Sequence, residues 1–182
     1  GRAGASTRLD TRHIHYATSP WWPHTLVAAD AGRGQVLVRG ALPLLYEKGR
    51  VMKIIKAKDY EDMSRKAANI ISAQVILKPD CVLGLATGST PIGAYKQLAA
   101  WYEKGDVDFA EVSTYNLDEY RGLSHDDPQS YHYFMRENFF DHINIDLNNT
   151  HVPDGSNPDA AAACSEYDKI VAAAGYPDLQ LL

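Results

Sequence analysis

The chain has 182 residues, a formal net charge of -5 and 45% hydrophobic residues, which is the make-up of one globular domain with a sizeable core. The negative charge argues against a nucleic-acid partner, and the two cysteines, Cys81 and Cys164, lack the spacing of a disulfide framework or a zinc site. No apolar run approaches the roughly 20 residues that span a bilayer, and no cleavable leader pattern occurs, so we expect a cytoplasmic protein without a membrane partner.

The first 51 residues differ in character from the rest. They hold seven Lys and Arg against three Asp and Glu, and apart from a short strand-like run at 35–38 they show no clear periodicity. We interpret residues 1–51 as a disordered leader or an upstream translated segment, with Met52 as the true start. The stretch Glu47 to Arg50 can be encoded by a purine-rich ribosome-binding sequence, which supports this interpretation. A genuine basic arm that docks a partner is the alternative.

A regular alternation of strands and helices begins at Met52. Asp59 followed by Asp62 resembles a capping box, and an apolar stripe from Met63 to Val75 predicts the first helix. Strands are predicted at 52–55, 81–87, 112–117 and 178–182, and further helices at Pro91, Asp127-Pro128 and Asn157-Pro158. This series predicts a layered α/β fold with a mainly parallel sheet in one domain, 52–182. Because the last predicted strand has no following element, we expect a chain truncated at its C-terminus.

The segment from Cys81 to Pro91 is the first functional candidate. A buried strand runs into a turn of small polar residues and then into a helix, where unpaired N–H groups and the helix dipole favour an anion. Thr87, Gly88, Ser89 and Thr90 are the candidate phosphate ligands. The spacing matches neither the P-loop nor the dinucleotide motif, which argues against ATP or NAD. In the alternative, Thr90 is only the N-cap of the next helix.

Asp118 is the candidate catalytic carboxylate. It follows the strand 112–117, and ligands collect beyond the carboxyl ends of parallel strands, so it should lie near the 87–90 turn. Alternation along the strand places Asp118 and Glu119 on opposite sides, so the two acids should not share a proton. A solvated strand end or a turn former remains the other interpretation of Asp118.

Other polar residues give weaker signals. His13 and His15 have metal-ligand spacing but lie in the doubtful leader, so no metal site is predicted. Tyr131 could reach a ligand, although a core position suits it as well. Four further histidines are scattered and suit surface or packing positions: His125, His132, His142 and His151.

Three motifs together resemble the glucosamine-6-phosphate deaminase family. They are LATGSTP at 85–91, YNLDEYRGL at 115–123 and DPQSYHYFMRENFFDHINI at 127–145, in the family's order and spacing. The resemblance covers residues 52–182 and implies a Rossmann-like sheet. It also implies conversion of glucosamine 6-phosphate and water to fructose 6-phosphate and ammonium. Asp118 would be the base that moves a proton between C2 and C1, and residues 87–90 would take the phosphate. Such chemistry requires no metal or organic cofactor.

The resemblance also implies that part of the site lies beyond Leu182. The family's ring-opening His and its acidic partners occur in a Gly-rich segment that would begin there. We therefore expect this polypeptide alone to have no measurable deaminase activity, and ammonia release by the purified chain would contradict that. The alternatives are another sugar-phosphate isomerase or lactonase of this fold, or a non-catalytic sugar-phosphate sensor. A homo-oligomer of the full-length protein is left open.

Overall fold

The computed structural model describes residues 13–15, 25–30, 35–40 and 52–182, which contain nine strands and four α-helices. The strands are β1 (His13–His15), β2 (Thr25–Asp30), β3 (Gln35–Gly40), β4 (Met52–Lys56), β5 (Val82–Leu85), β6 (Ser113–Asn116), β7 (Asp118–Tyr120), β8 (Thr150–His151) and β9 (Leu179–Leu181). The helices are α1 (Tyr60–Leu77), α2 (Ile92–Glu103), α3 (Tyr131–Asn138) and α4 (Ala160–Ala173), with short 3₁₀ turns at Phe140–His142 and Leu147–Asn149.

The main sheet has seven described strands in the order β4-β3-β2-β9-β5-β6-β8. Pairing is parallel from β2 through β9, β5 and β6 to β8, and antiparallel between β2, β3 and β4. The prediction of an α/β fold with a mainly parallel sheet is therefore confirmed. The first predicted strand, however, is β4, which lies at one edge of the described sheet. It pairs antiparallel with β3, the strand that precedes it in the chain.

Residues 1–51 contribute three of these strands, in segments where the sequence favoured disorder. β2 and β3 join the main sheet, and the backbone of β1 pairs antiparallel with β7 in a separate two-stranded sheet. β3 contains the strand-like run predicted at 35–38. The other residues of this segment, including Trp21 to His24, lie outside the described residues. Translation from Met52 stays a prediction.

The core lies between the sheet and its helices. In α1 the predicted stripe is buried at Met63, Ala67, Ile71 and Val75, while Ile70 is half-buried. The core continues with strand and helix residues that are almost fully buried: Leu83, Leu85, Tyr95, Leu98, Phe109, Phe139, Leu179 and Leu181. Helices α1 and α2 pack against each other, and α2 also contacts α3. This packing holds the start of α2 against the start of α1.

Two helices begin later than their Asp-Pro and Asn-Pro pairs predicted. Helix α3 begins at Tyr131 with Ser130 as its N-cap, and α4 begins at Ala160 with Asp159 as its N-cap. Asp127 instead accepts the Gln129 N–H at 2.8 Å in a turn before the helix. Short polar side chains favour such turns as readily as helix caps, which explains the shift.

Among the described helices, none combines the length and the apolar composition needed to cross a membrane.

Candidate functional site

A buried tyrosine fixes the turn from β5 into α2. The Tyr95 hydroxyl donates to the Ala86 carbonyl oxygen at 2.5 Å and accepts from the Ala86 N–H at 3.2 Å. The Tyr95 ring is fully buried and stacks on Phe139, with 4.8 Å between the ring centroids. Burial raises the pKa of this phenol, so it stays neutral. The end of β5 is therefore held in place where Thr87 begins the turn.

Gly88 is required in this turn for its backbone conformation. Its φ is 94°, in the region that L side chains rarely adopt. A Cβ at this position would meet no heavy atom within 4 Å, so crowding is not the reason for glycine. Thr87 and Thr90 are half-buried and Ser89 is exposed, which leaves the turn open to a ligand from solvent.

Helix α2 has no hydrogen-bonding side chain at its own N-cap position, although the Tyr60 hydroxyl of α1 accepts the Gly93 N–H of its first turn at 2.9 Å. Its N-cap is Pro91, which provides no side-chain hydrogen bond, whereas Asp59, Ser130 and Asp159 cap α1, α3 and α4. The Thr90 cap that was the alternative to anion binding is therefore not formed. N–H groups at the start of a helix attract anions because they lack intrahelical acceptors and lie at the positive end of the helix dipole.

The strand that leads to Asp118 is tied to the strand that leads to the turn. Leu85 lies opposite Asn116 in the parallel pair of β5 and β6, and the Asn116 Nδ2 donates to the Leu85 carbonyl oxygen at 3.1 Å. The Tyr167 hydroxyl of α4 donates to the Asn116 carbonyl oxygen at 2.8 Å. Because both strands end at the same edge, the residues that follow them emerge close together.

The two acids of β7 have different surroundings. Glu119 is 1% exposed, and its carboxylate accepts the N–H groups of Tyr120 at 2.7 Å, Tyr131 at 2.8 Å and His132 at 3.0 Å. Tyr131 and His132 open helix α3, so Glu119 caps that helix from a neighbouring strand. Asp118 is half-buried. That the two acids lie on opposite sides of the strand and do not share a proton stays a prediction.

Tyr131 connects the turn with Asp118. Burial raises the pKa of the Tyr131 phenol, a hydrogen bond with Tyr120 and the negative charge of Asp118 raise it further, and a hydrogen bond with Thr87 lowers it. The rings of Tyr120 and Tyr131 lie 4.8 Å apart between centroids. Thr87, the first residue of the turn, thus hydrogen-bonds with the neutral Tyr131 hydroxyl, and the charge of the candidate base acts on the same group. We call Thr87, Asp118, Tyr120 and Tyr131 the Tyr131 cluster.

The histidines that the sequence assigned to packing or surface positions are found in such positions. His125 and His132 stack with 4.3 Å between ring centroids, and His151 stacks on Tyr115 at 4.5 Å. His142 is exposed. Within the described part of the chain, no group of three or more His, Cys, Asp and Glu side chains is arranged to hold a metal ion.

Sequence reasoning left the role of Tyr131 open and did not find the capping role of Glu119. The signal for Tyr131 was its place in the third motif, which resembles the deaminase family. Glu119 gave no local signal, because its N–H partners at Tyr131 and His132 lie 12 and 13 residues further along the chain.

The chain matches known proteins over residues 56–182, where the family model described as glucosamine-6-phosphate isomerases/6-phosphogluconolactonase aligns. The glucosamine-6-phosphate deaminase of Lachnoclostridium phytofermentans is 63% identical over 131 residues, which are 72% of this chain and 56% of that protein. The deaminase of Halothermothrix orenii is 53% identical over 131 residues, 72% of this chain and 54% of that protein. The chain therefore spans about half the length of these relatives.

Two solved structures of proteins from this family are also similar to the chain. A monomeric glucosamine-6-phosphate deaminase superposes with a TM-score of 0.69 and 43% identity, covering 70% of this chain and 53% of that one. A 6-phosphogluconolactonase from Thermotoga maritima superposes with a TM-score of 0.52 and 25% identity, over 63% and 50% of the two chains. The chain belongs to the glucosamine-6-phosphate isomerase/6-phosphogluconolactonase family.

Proposed function

We propose that this chain supplies the phosphate-binding and proton-transferring part of a glucosamine-6-phosphate deaminase. The reaction converts glucosamine 6-phosphate and water to fructose 6-phosphate and ammonium. The single observation that carries the proposal is the parallel pairing of β5 with β6, in which Leu85 lies opposite Asn116, so that the 87–90 turn and Asp118 follow at the same edge of the sheet. The deaminases that the chain resembles at 53–63% identity support the choice of reaction.

The turn 87–90 binds the phosphate of the substrate in this proposal. The start of α2 provides a positive dipole and N–H donors other than that of Gly93, which the Tyr60 hydroxyl accepts, and the hydroxyls of Thr87, Ser89 and Thr90 add donors. The positive φ of Gly88 shapes the turn without a side chain that would block it. Anchoring a phosphate remote from the reacting carbons supplies the positioning that the chemistry needs.

Asp118 is the base in the proposed mechanism. Its carboxylate removes the proton from C2 of the open-chain amino aldose, giving an enolamine, and returns a proton to C1. The product carries an iminium group at C2. Water adds to that carbon and ammonium leaves, which gives the ketone of fructose 6-phosphate. General acid–base transfer of this kind contributes about 10²- to 10⁴-fold to the rate.

In this proposal, Tyr131 keeps the Asp118 side chain positioned relative to the 87–90 turn. Because its pKa is raised by burial, by Tyr120 and by the charge of Asp118, the phenol stays protonated at neutral pH. A neutral hydroxyl can bond with Thr87 and lie beside a carboxylate without repelling it. The arrangement links the position of the bound phosphate with that of the base.

The test uses a chimera, because the chain spans about half the length of its relatives. Residues 52–182 replace the matching segment of the Lachnoclostridium phytofermentans deaminase, and ammonia and fructose 6-phosphate are measured. We expect Asp118→Asn to lower kcat by about 10²- to 10⁴-fold with little change in KM, because the amide cannot accept the C2 proton.

The matched control is Asp168→Asn on α4, an exposed aspartate in a different part of the fold. It should leave both kcat and KM unchanged. Ammonia release by Asp118→Asn at the rate of the unsubstituted chimera would rule out Asp118 as the base. Hydrolysis of 6-phosphogluconolactone without ammonia release would favour the lactonase alternative, which the family description also includes.

Two further expectations accompany this proposal. We place the reaction in the cytoplasm, where phosphorylated sugars are metabolised, and we assign no cofactor to it. Assembly of the full-length protein into a homo-oligomer stays a prediction, and the solved deaminase described above is monomeric according to its own description.

A further inference from the structure

The hydroxyl of Tyr60 lies against the backbone of the turn that precedes α2. It donates to the carbonyl oxygens of Ser89 at 2.9 Å and Thr90 at 3.2 Å, and it accepts the Gly93 N–H at 2.9 Å. Tyr60 is the first residue of α1 and is 29 residues away from Ser89 along the chain. One side chain from another helix therefore contacts both the turn and the first turn of α2.

The start of α1 holds Tyr60 firmly. Asp59 accepts the Asp62 N–H at 2.8 Å, and Asp62 in return accepts the Lys58 N–H at 3.0 Å. Asp62 also forms ion pairs with Arg65 and Lys66, each at 2.6 Å. Two reciprocal bonds across a helix start restrict its backbone, so Tyr60 extends from a fixed point.

Close backbone packing leaves little room for the α2 start to shift. A Cβ built on Gly93 would lie 2.2 Å from the Ser64 Oγ and 2.9 Å from Cε1 of Tyr60. The first turn of α2 thus rests directly on the first turn of α1, which only a glycine permits. The Tyr60 ring provides the contact, and its hydroxyl provides the hydrogen bonds.

The direction of the carbonyl groups determines where the turn presents its donors. In a planar trans peptide the C=O and the following N–H point in opposite directions. Because the Ser89 carbonyl faces the Tyr60 hydroxyl, the Thr90 N–H faces away from it. Tyr60 therefore fixes the orientation of an amide group in the middle of the 87–90 turn.

We propose that Tyr60 is a positioning residue for the phosphate-binding turn, which it orients through its hydroxyl without contacting the substrate. This inference rests on the proposed function of the turn 87–90. It gives helix α1 a role in substrate affinity that could not be recognised from the residues of the turn alone. Loss of the hydroxyl frees the Ser89 and Thr90 carbonyls to rotate, and the donors for the phosphate lose their fixed direction.

The test is Tyr60→Phe in the chimera, which keeps the ring against Gly93 and removes only the hydroxyl. We expect KM for glucosamine 6-phosphate to rise about 3- to 10-fold with kcat nearly unchanged, because the turn loses the hydrogen bonds of modest net strength that orient its donors. The inhibition constant of inorganic phosphate should rise by a similar factor. The rise in Tm that inorganic phosphate causes should shrink accordingly.

Tyr102→Phe is the matched control, because Tyr102 is a half-buried tyrosine on α2 away from the turn. It should leave KM and phosphate inhibition unchanged. A fall in kcat with unchanged KM, or an equal effect on Tm with and without phosphate, would overturn the inference and indicate a merely structural residue. Unchanged phosphate inhibition in Tyr60→Phe would overturn it as well. If the unsubstituted chimera neither binds phosphate nor releases ammonia, the proposed function itself fails.

Discussion

Glu119 is a buried carboxylate whose partners are backbone amides at the start of α3. It lies between Asp118 and Tyr120, two residues of the Tyr131 cluster, and it bonds the N–H of Tyr131 itself. A carboxylate suits this place because it can accept several N–H groups and lies at the positive end of a helix dipole. The side chain next to the proposed base therefore holds the tyrosine whose pKa the charge of that base raises.

Replacing Glu119 with Gln tests this capping role. We expect the free energy of unfolding to fall by about 1–3 kcal/mol, because the amide NH₂ would face backbone donors and leave some of them unpaired. Urea denaturation of the chimera measures the change. Glu111→Gln, at an exposed position, is the matched control and should leave stability unchanged. Equal stability of the two variants would show that the cap contributes nothing.

At the scale of single residues, candidates for the site could be named from the sequence only where the signal is local. Thr87, Gly88 and Asp118 follow strands and belong to recognisable motifs, so their neighbourhood could be predicted. Glu119 and Tyr60 could not, because their hydrogen-bond partners lie on other elements and are brought close only by the packing of the helices.

Among the elements, β5 and β9 show a close fit in the middle of the sheet. Gly84 lies opposite Gln180, whose side chain is buried and donates from Nε2 to the Leu181 carbonyl oxygen at 2.8 Å. A Cβ on Gly84 would lie 1.9 Å from the Gln180 Oε1. The glycine is needed here because a buried amide occupies the space of its side chain.

The variant Gly84→Ala should therefore lose about 1–3 kcal/mol of unfolding free energy through overpacking. Urea denaturation of the chimera again gives the value. The double variant Gly84→Ala/Gln180→Ala should recover part of the stability, measured against Gln180→Ala alone, because the shortened side chain leaves room for the new methyl group. Strictly additive losses would contradict the steric explanation.

The alternation of elements was predictable from periodicity, while their exact starts and pairings were not. The apolar stripe of α1 predicted its buried residues Met63, Ala67, Ile71 and Val75. The starts of α3 and α4 were placed too early, since Asp127 and Asn157 form turns. Pairing of β7 with β1 had no sequence signal, because strand partners are chosen by tertiary contacts.

The stability of the whole molecule should depend on pH through His132. Burial lowers the pKa of His132 from its ordinary value of 6.5, and the charges of His125 and Arg136 lower it further, against smaller opposing effects that include the charge of Glu119. The unfolded chain then binds more protons than the folded one as the pH falls below about 6.5. The free energy of unfolding should decrease over that range and be fully restored above it.

His132→Phe should make this acid-side decrease shallower, because it keeps a ring stacked on His125 and removes the titrating group. Urea denaturation at a series of pH values from 7.5 downward gives the slope. His142→Phe removes a histidine elsewhere on the surface and is the matched control. An unchanged slope in His132→Phe would assign the acid sensitivity to other groups.

The position of β9 has a consequence for how the molecule is made. It is the last described strand in the chain, yet it lies between β2 and β5 in the sheet, anchored by the Asp178 carboxylate to the Val82 N–H at 2.9 Å and to Lys78 at 2.8 Å. During synthesis, β5 and the turn that follows it emerge from the ribosome about a hundred residues before their neighbour. Until β9 is inserted, the edge of β5 carries unpaired backbone groups, so a nascent chain at this stage is open to wrong pairing.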